Sequence, residues 1–171
     1  MRKTIMAVLT AGAVLAGTAA PVSAGQTKPR PTEPSLVGSA KTYRPEGDDV
    51  RFTFDAHGLG PDARGTFRVS HYLGAEGGWF AGDIDCLIVG GRTAVVTGVI
   101  TASSLPEFIG VRRGMTVFDD GRRDRVGYSW VLDPGSTESV PKCLSSAPFE
   151  WVESGDFKAV EWLPIQGPRR S

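Results

Sequence analysis

Asparagine does not occur anywhere in the 171 residues, which removes every N-glycosylation acceptor and leaves the turns to glycine, aspartate and proline. Histidine occurs twice, as His57 and His71, and cysteine twice, as Cys86 and Cys143. With the cysteines oxidised, zinc is left without a ligand set. No charge of one sign prevails, because 19 basic residues face 19 acidic ones. Such a balance gives no electrostatic footprint for nucleic acid or for an anionic membrane surface. Beyond the N-terminal region no apolar run approaches the roughly 20 residues of a membrane span, so no integral membrane segment is expected there. Neither a G-x-S-x-G elbow nor a repeat of fixed period is present.

What is present begins with a leader. Arg2 and Lys3 precede residues 5–20, an uncharged stretch rich in Ala, Val and Leu. Pro21-Val22-Ser23-Ala24 then offers short residues on the near side of a cut after Ala24. This order reads as a secretory signal peptide over 1–24, with an uncleaved N-terminal anchor as the alternative. The expected location is therefore secreted, extracellular. The excess of Arg over Lys and the missing Asn suggest a bacterial chain of GC-rich coding. Losing Arg2 and Lys3 with the leader leaves 17 basic against 19 acidic side chains. Residues 25–34 are polar, hold three prolines, and bury too little to offset their ordering entropy. A flexible arm is expected over 25–42, one all-β domain over 43–165, and a short tail over 166–171. In an exported chain Cys86 and Cys143 are most simply one disulfide, with two buried thiols as the alternative. The bridge closes a loop of about 58 residues and stabilises the fold by about 4 kcal/mol on the chain-entropy account.

Period-two patterning dominates the rest. Val50, Phe52, Phe54 and Ala56 alternate with Arg51, Thr53, Asp55 and His57, and Phe67 and Val69 alternate with Arg68 and Ser70. Over 79–89, Phe80, Gly82, Ile84, Cys86 and Ile88 fall on one face, with Trp79, Ala81, Asp83, Asp85, Leu87 and Val89 on the other. Gly90-Gly91 turns this strand into a Val/Ile/Thr strand over 94–101, where Gly98 marks a bulge or a close backbone approach. A second hairpin joins 115–118 to 125–132 through Asp119-Asp120-Gly121, and short runs follow at 149–152 and 157–163. Residues 105–113 have room for one helical turn. About eight strands at this spacing predict an antiparallel β-barrel, with a β-sandwich as the alternative.

Each candidate site has a plainer reading beside it. Gly58-Leu59-Gly60-Pro61-Asp62-Ala63 fits a dinucleotide fingerprint on paper, but Pro61 removes an N–H and a strand follows where a helix is required. It reads as a hairpin loop, and no cofactor is expected. His57 sits beside Asp55 as a solvated pair, while His71 shares the parity of Phe67 and Val69 and reads as an interior histidine or an acid–base group. Asp83 and Asp85 share a strand face. Asp119, Asp120 and Asp124 are interleaved with Arg122, Arg123 and Arg125, which favours a solvated, ion-paired rim over a cation cage. Trp79, Trp130, Trp151 and Trp162 are either core or the wall of a pocket. His71, Trp79 and Trp130 are the candidate binding residues.

A resemblance adds to this. Gly82-Asp83-Ile84-Asp85-Cys86-Leu87-Ile88-Val89, followed by Gly91 and Ala94-Val95-Val96-Thr97-Gly98, resembles a G-D-x-x-C-L-x-V…A-x-x-x-G pattern. Val117-Phe118-Asp119-Asp120-Gly121 with Asp124 looks like its later V-x-D-x-G…D turn, with Asp120 where Asn is expected, and Cys143 looks like its late cysteine. The pattern belongs to small secreted proteins of actinobacteria without an assigned activity. It implies export and an all-β fold over about residues 50–145, and carries over no functional residue. The expected function is a non-catalytic binding module for a small apolar ligand or a surface partner. That expectation rests on strands apolar on both faces, Leu87 and Val89 opposite Ile84 and Ile88. The alternatives are a secreted hydrolase using His57, His71, Asp83 or Asp85, and a structural cell-surface interaction protein.

Overall fold

A strand that alternates apolar and polar side chains buries only one of its faces, and a sheet of such strands satisfies all of them by curling shut. From Leu36 onward this chain does so. The computed structural model describes residues 31–121 and 123–162. Strands β1 (Ser35–Thr42), β2 (Asp49–His57), β3 (Arg64–Leu73), β4 (Glu76–Gly90), β5 (Thr93–Ser103), β6 (Arg112–Phe118), β7 (Arg125–Tyr128) and β8 (Glu150–Val160) each pair antiparallel with the next. β8 returns to β1, which closes the barrel. The sandwich alternative is thereby set aside. A single 3₁₀ turn, Pro106–Phe108, lies between β5 and β6.

Inward side chains include Leu36, Phe52, Phe54, Phe67, Val96, Met115, Val117 and Phe157, all buried. Outward positions on β1 to β3 carry Ser39, Arg51, Thr53, Asp55, Thr66 and Arg68. A membrane barrel shows the reverse, an apolar band outside. No helix among the described residues is long and apolar enough to cross a membrane.

Four expectations are corrected. The flexible arm does not extend to residue 42, because Ser35–Thr42 forms β1 between β2 and β8. Leu36 and Ala40 supply its inward side, an alternation hidden by the small residues between them. The long strand over 79–89 does not keep one parity. Ile84 pairs with Gly98 and Cys86 with Thr97, so Asp85 is an extra residue in a β-bulge. The bulge turns Leu87 and Val89 inward together with Ile84 and leaves Ile88 exposed. The hairpin strand over 125–132 stops at Tyr128. Finally, the two short runs near 149–152 and 157–163 are one strand, β8, irregular where Lys41 pairs with Ser154 and Thr42 with Val152. The count of eight stands, with one strand gained and two merged. The leader over 1–24 and the tail over 166–171 lie outside the described residues.

After Tyr128 the chain leaves the wall and covers the outside of β5 and β6. Val140 N–H donates to the Arg112 carbonyl and Cys143 N–H to Thr97 Oγ1. Cys143 is disulfide-bonded to Cys86 across a Cα–Cα distance of 5.4 Å. Gly114 permits this approach, since a Cβ there would stand 2.0 Å from the Leu144 carbonyl oxygen. The cover explains why Cys86, Thr97 and Thr116 are buried although they face outward. Gly98 is a close approach, as its pattern suggested: a Cβ would meet the Asp83 carbonyl at 2.5 Å and the Phe67 ring at 2.6 Å.

Barrel closure is uneven. β7 is short and pairs with β8 only at Arg125–Trp151 and Val126–Glu150. Further along β8 the Phe157 amide donates to Asp124 Oδ2 at 2.8 Å and the Ala159 amide to Asp119 Oδ2 at 3.0 Å. Two carboxylates from the β6–β7 turn thus replace the missing strand. Asp119 and Asp124 are buried, so the expected solvated rim is corrected for both. Asp120 does sit at the surface, paired with Arg92.

Candidate functional site

The two ends of the barrel are filled differently. Toward the end where β1 starts and β8 finishes, the rings of Phe54 and Phe157 pack at a tilt with centroids 5.5 Å apart and the interior is packed. At the opposite end the interior widens into a cavity of ≈460 Å³. That volume lies in the range of small-molecule sites, roughly 300–1,000 Å³.

Alternation places the lining. β2 sends in Val50 and Phe52, β3 sends Val69 and His71, β4 sends Phe80, β6 sends Arg113 and β7 sends Tyr128. Trp130 continues the inward parity of Val126 and Tyr128 just beyond the strand, and Phe108 hangs from the 3₁₀ turn. The rings form one aromatic wall. Trp130 lies 4.8 Å from Tyr128, 5.3 Å from Phe80 and 6.4 Å from Phe52, and Phe80 lies 6.5 Å from Phe108.

Two polar groups interrupt this wall. Tyr128 donates its hydroxyl to Glu150 Oε1 at 2.5 Å, and Arg44 Nη2 donates to both the Tyr128 oxygen and Glu150. Burial first, and the hydrogen bond and charge of Glu150 second, push the Tyr128 phenol up to about 12, with Arg44 pulling the other way. Burial opposes the charge on Arg44, but the Tyr128 hydrogen bond and the Glu150 charge outweigh it and its pKa is raised. The second group is Arg113, 3% exposed, with its guanidinium over the rings of Phe108 and Trp130 at 5.2 and 5.6 Å. Its Nη2 donates to the Ser136 carbonyl, while Nε has no hydrogen-bond partner. Burial lowers its pKa, with the charge of Asp133 in partial opposition.

Of the residues singled out by sequence, Trp130 faces the cavity with its ring. Trp79 borders it from a strand position of outward parity, its indole under the Arg68 guanidinium at 4.0 Å. His71 is at the rim, inward in parity but half-exposed, with Nε2 2.6 Å from Asp48 Oδ2. It is not the interior histidine its parity suggested, because β3 ends two residues later. Trp151 lies outside, between Arg123 and Arg125. The acid–base candidates are dispersed. His57 pairs with Asp55 at the far end, Asp83 is exposed, and Asp85 is held by Arg112 and Thr97 on the outer side of the bulge. Neither histidine is hydrogen-bonded to a serine among the described residues. No three of His, Cys, Asp and Glu gather around a metal-sized space among the described residues.

Sequence reasoning missed Arg113, Tyr128, Arg44 and Glu150. The signal for Arg113 was its shared parity with Met115 and Val117, obscured by reading 105–113 as a turn. Nothing in the sequence joins Arg44 to Glu150, which lie 106 positions apart. Comparison with protein-family models, with curated proteins and with solved structures gave no match.

Proposed function

We propose that the barrel is a binding module that takes a small, mostly apolar molecule into the cavity at its open end. The observation that carries this reading is the aromatic wall of Phe52, Phe80, Phe108 and Trp130 around a space of ≈460 Å³. An eight-stranded barrel is just wide enough either to fill with side chains or to hold one small ligand. Here it does each at a different end. Apolar wall shielded from water by a ligand contributes about 25 cal/mol per Å², which favours an apolar occupant. The support for the site is also rigid: strands carry most of the lining, and the disulfide anchors the segment between Trp130 and β8. That disulfide, together with the leader pattern over 1–24, supports a place outside the cytoplasm.

A neutral apolar dye tests the proposal. N-phenyl-1-naphthylamine should bind with saturable, one-to-one enhancement of its emission. Trp130→Ala removes the ring touching Phe52, Phe80 and Tyr128 and should weaken binding roughly tenfold, equivalent to about 1.4 kcal/mol. Absence of saturable binding by the folded native protein contradicts the proposal.

A further inference from the structure

Arg113 is a cation inside an apolar chamber, and its surroundings leave it unfinished. Guanidinium groups remain protonated in proteins, so the charge persists even where burial opposes it. Yet no carboxylate among the described residues forms an ion pair with Arg113, whereas Arg44 across the same cavity has Glu150. The nearest compensation comes from the faces of Phe108 and Trp130, the Ser136 carbonyl and the more distant charge of Asp133. Its Nε–H is buried without an acceptor. A buried charge without a counter-ion is costly, and a negatively charged group entering the cavity beside the guanidinium relieves that cost.

The other charges near the cavity do not serve. Glu150 Oε1 is bonded to Arg44 and Tyr128 and its Oε2 is left without a partner, so Glu150 forms no ion pair with Arg113, and Asp48 is bonded to His71 at the rim. Glu76 lines the mouth without forming an ion pair to Arg113. We infer that the ligand of this cavity is an apolar carboxylic acid, its tail against the aromatic wall and its carboxylate on Arg113. This deepens the reading of the cavity as an apolar site and rests on it. A carboxylate matches the planar fork of a guanidinium, and hydrogen bonds between charged partners are about twice as strong as neutral ones.

The experiment compares decanoate with decanol as displacers of N-phenyl-1-naphthylamine at neutral pH. Decanol is the more apolar of the two, so any preference for the acid must come from the headgroup. In the native protein decanoate should displace the dye at a roughly tenfold lower concentration than decanol. Arg113→Met should remove that preference while the dye itself still binds. Arg113→Lys, which keeps the charge but loses the planar fork, should retain only part of it. Equal displacement by the two compounds in the native protein overturns the inference, as does an undiminished preference in either folded variant. If Arg113→Met does not fold, the native comparison and Arg113→Lys decide between these outcomes. Failure of the dye to bind the native protein at all overturns the apolar-site reading and this inference with it. Dye binding without acid preference overturns this inference alone.

Discussion

Tyr128 couples the cavity wall to the partly buried Arg44–Glu150 ion pair, and its titration reports on that coupling. A folded-state pKa near 12 against about 10 in the unfolded chain means that the native protein holds the proton more tightly. Between those two values the unfolded state loses its proton first, so stability is full below pH ~10 and falls as pH rises to ~12. The loss is on the order of 2 kcal/mol. Tyr128→Phe should abolish this component, and ultraviolet difference absorbance between native and variant should place the phenol midpoint near 12. A midpoint near 10 would show that the phenol is not held in the geometry described. At this scale the sequence was partly legible. Trp130 was a candidate because large aromatics in a small β domain are either core or wall, and it proves to face a cavity. Arg113 was not seen, because a charged residue two positions before an apolar alternation reads as a turn residue until the strand is known to begin there.

Elements carry the second set of consequences. β4 is the case where period-two reading failed: one inserted residue, Asp85, reverses every side chain beyond it. The two-faced apolar pattern that had suggested a cavity was therefore a bulge. The cavity is real for another reason, the aromatic wall contributed by β2, β4, β7 and the 3₁₀ turn. The bulge also explains the motif around Gly82 to Val89. Asp85 is pinned by Arg112 and Thr97, and Cys86 is turned outward to meet Cys143. Cys86→Ser with Cys143→Ser should lower stability by about 4 kcal/mol in chemical denaturation, since the loop between them is long. An unchanged midpoint would mean that the cover over β5 and β6 is held by its hydrogen bonds alone. β8 supplies a second test. Asp124→Ala leaves the amides of Asp120 and Phe157 without their acceptor and should cost about 2–4 kcal/mol. Amide exchange at Phe157 should accelerate with it, whereas unaltered protection would show that the carboxylate does not stand in for a strand.

For the whole molecule, fold class was legible because alternation, turn residues and the lack of helical periodicity all agree. What no local pattern reveals is the seam where β1 meets β8, formed between residues more than a hundred positions apart. Nor does local pattern show how the barrel divides into a packed half and a hollow half. That division depends on rings from β2, β4, β7, β8 and the 3₁₀ turn, and on a cover segment that ends near the open rim. The division is also what the proposed function rests on, in which an apolar molecule enters the widened end among Phe80, Phe108 and Trp130. The most direct measurement is an isotope-filtered nuclear Overhauser spectrum of the labelled protein with unlabelled decanoate. Cross-peaks from the ligand methylenes to the rings of Phe80, Phe108 and Trp130 are the predicted result. Contacts confined to exposed apolar residues such as Leu132 and Leu144 on the outer surface, or none at all, would contradict the account.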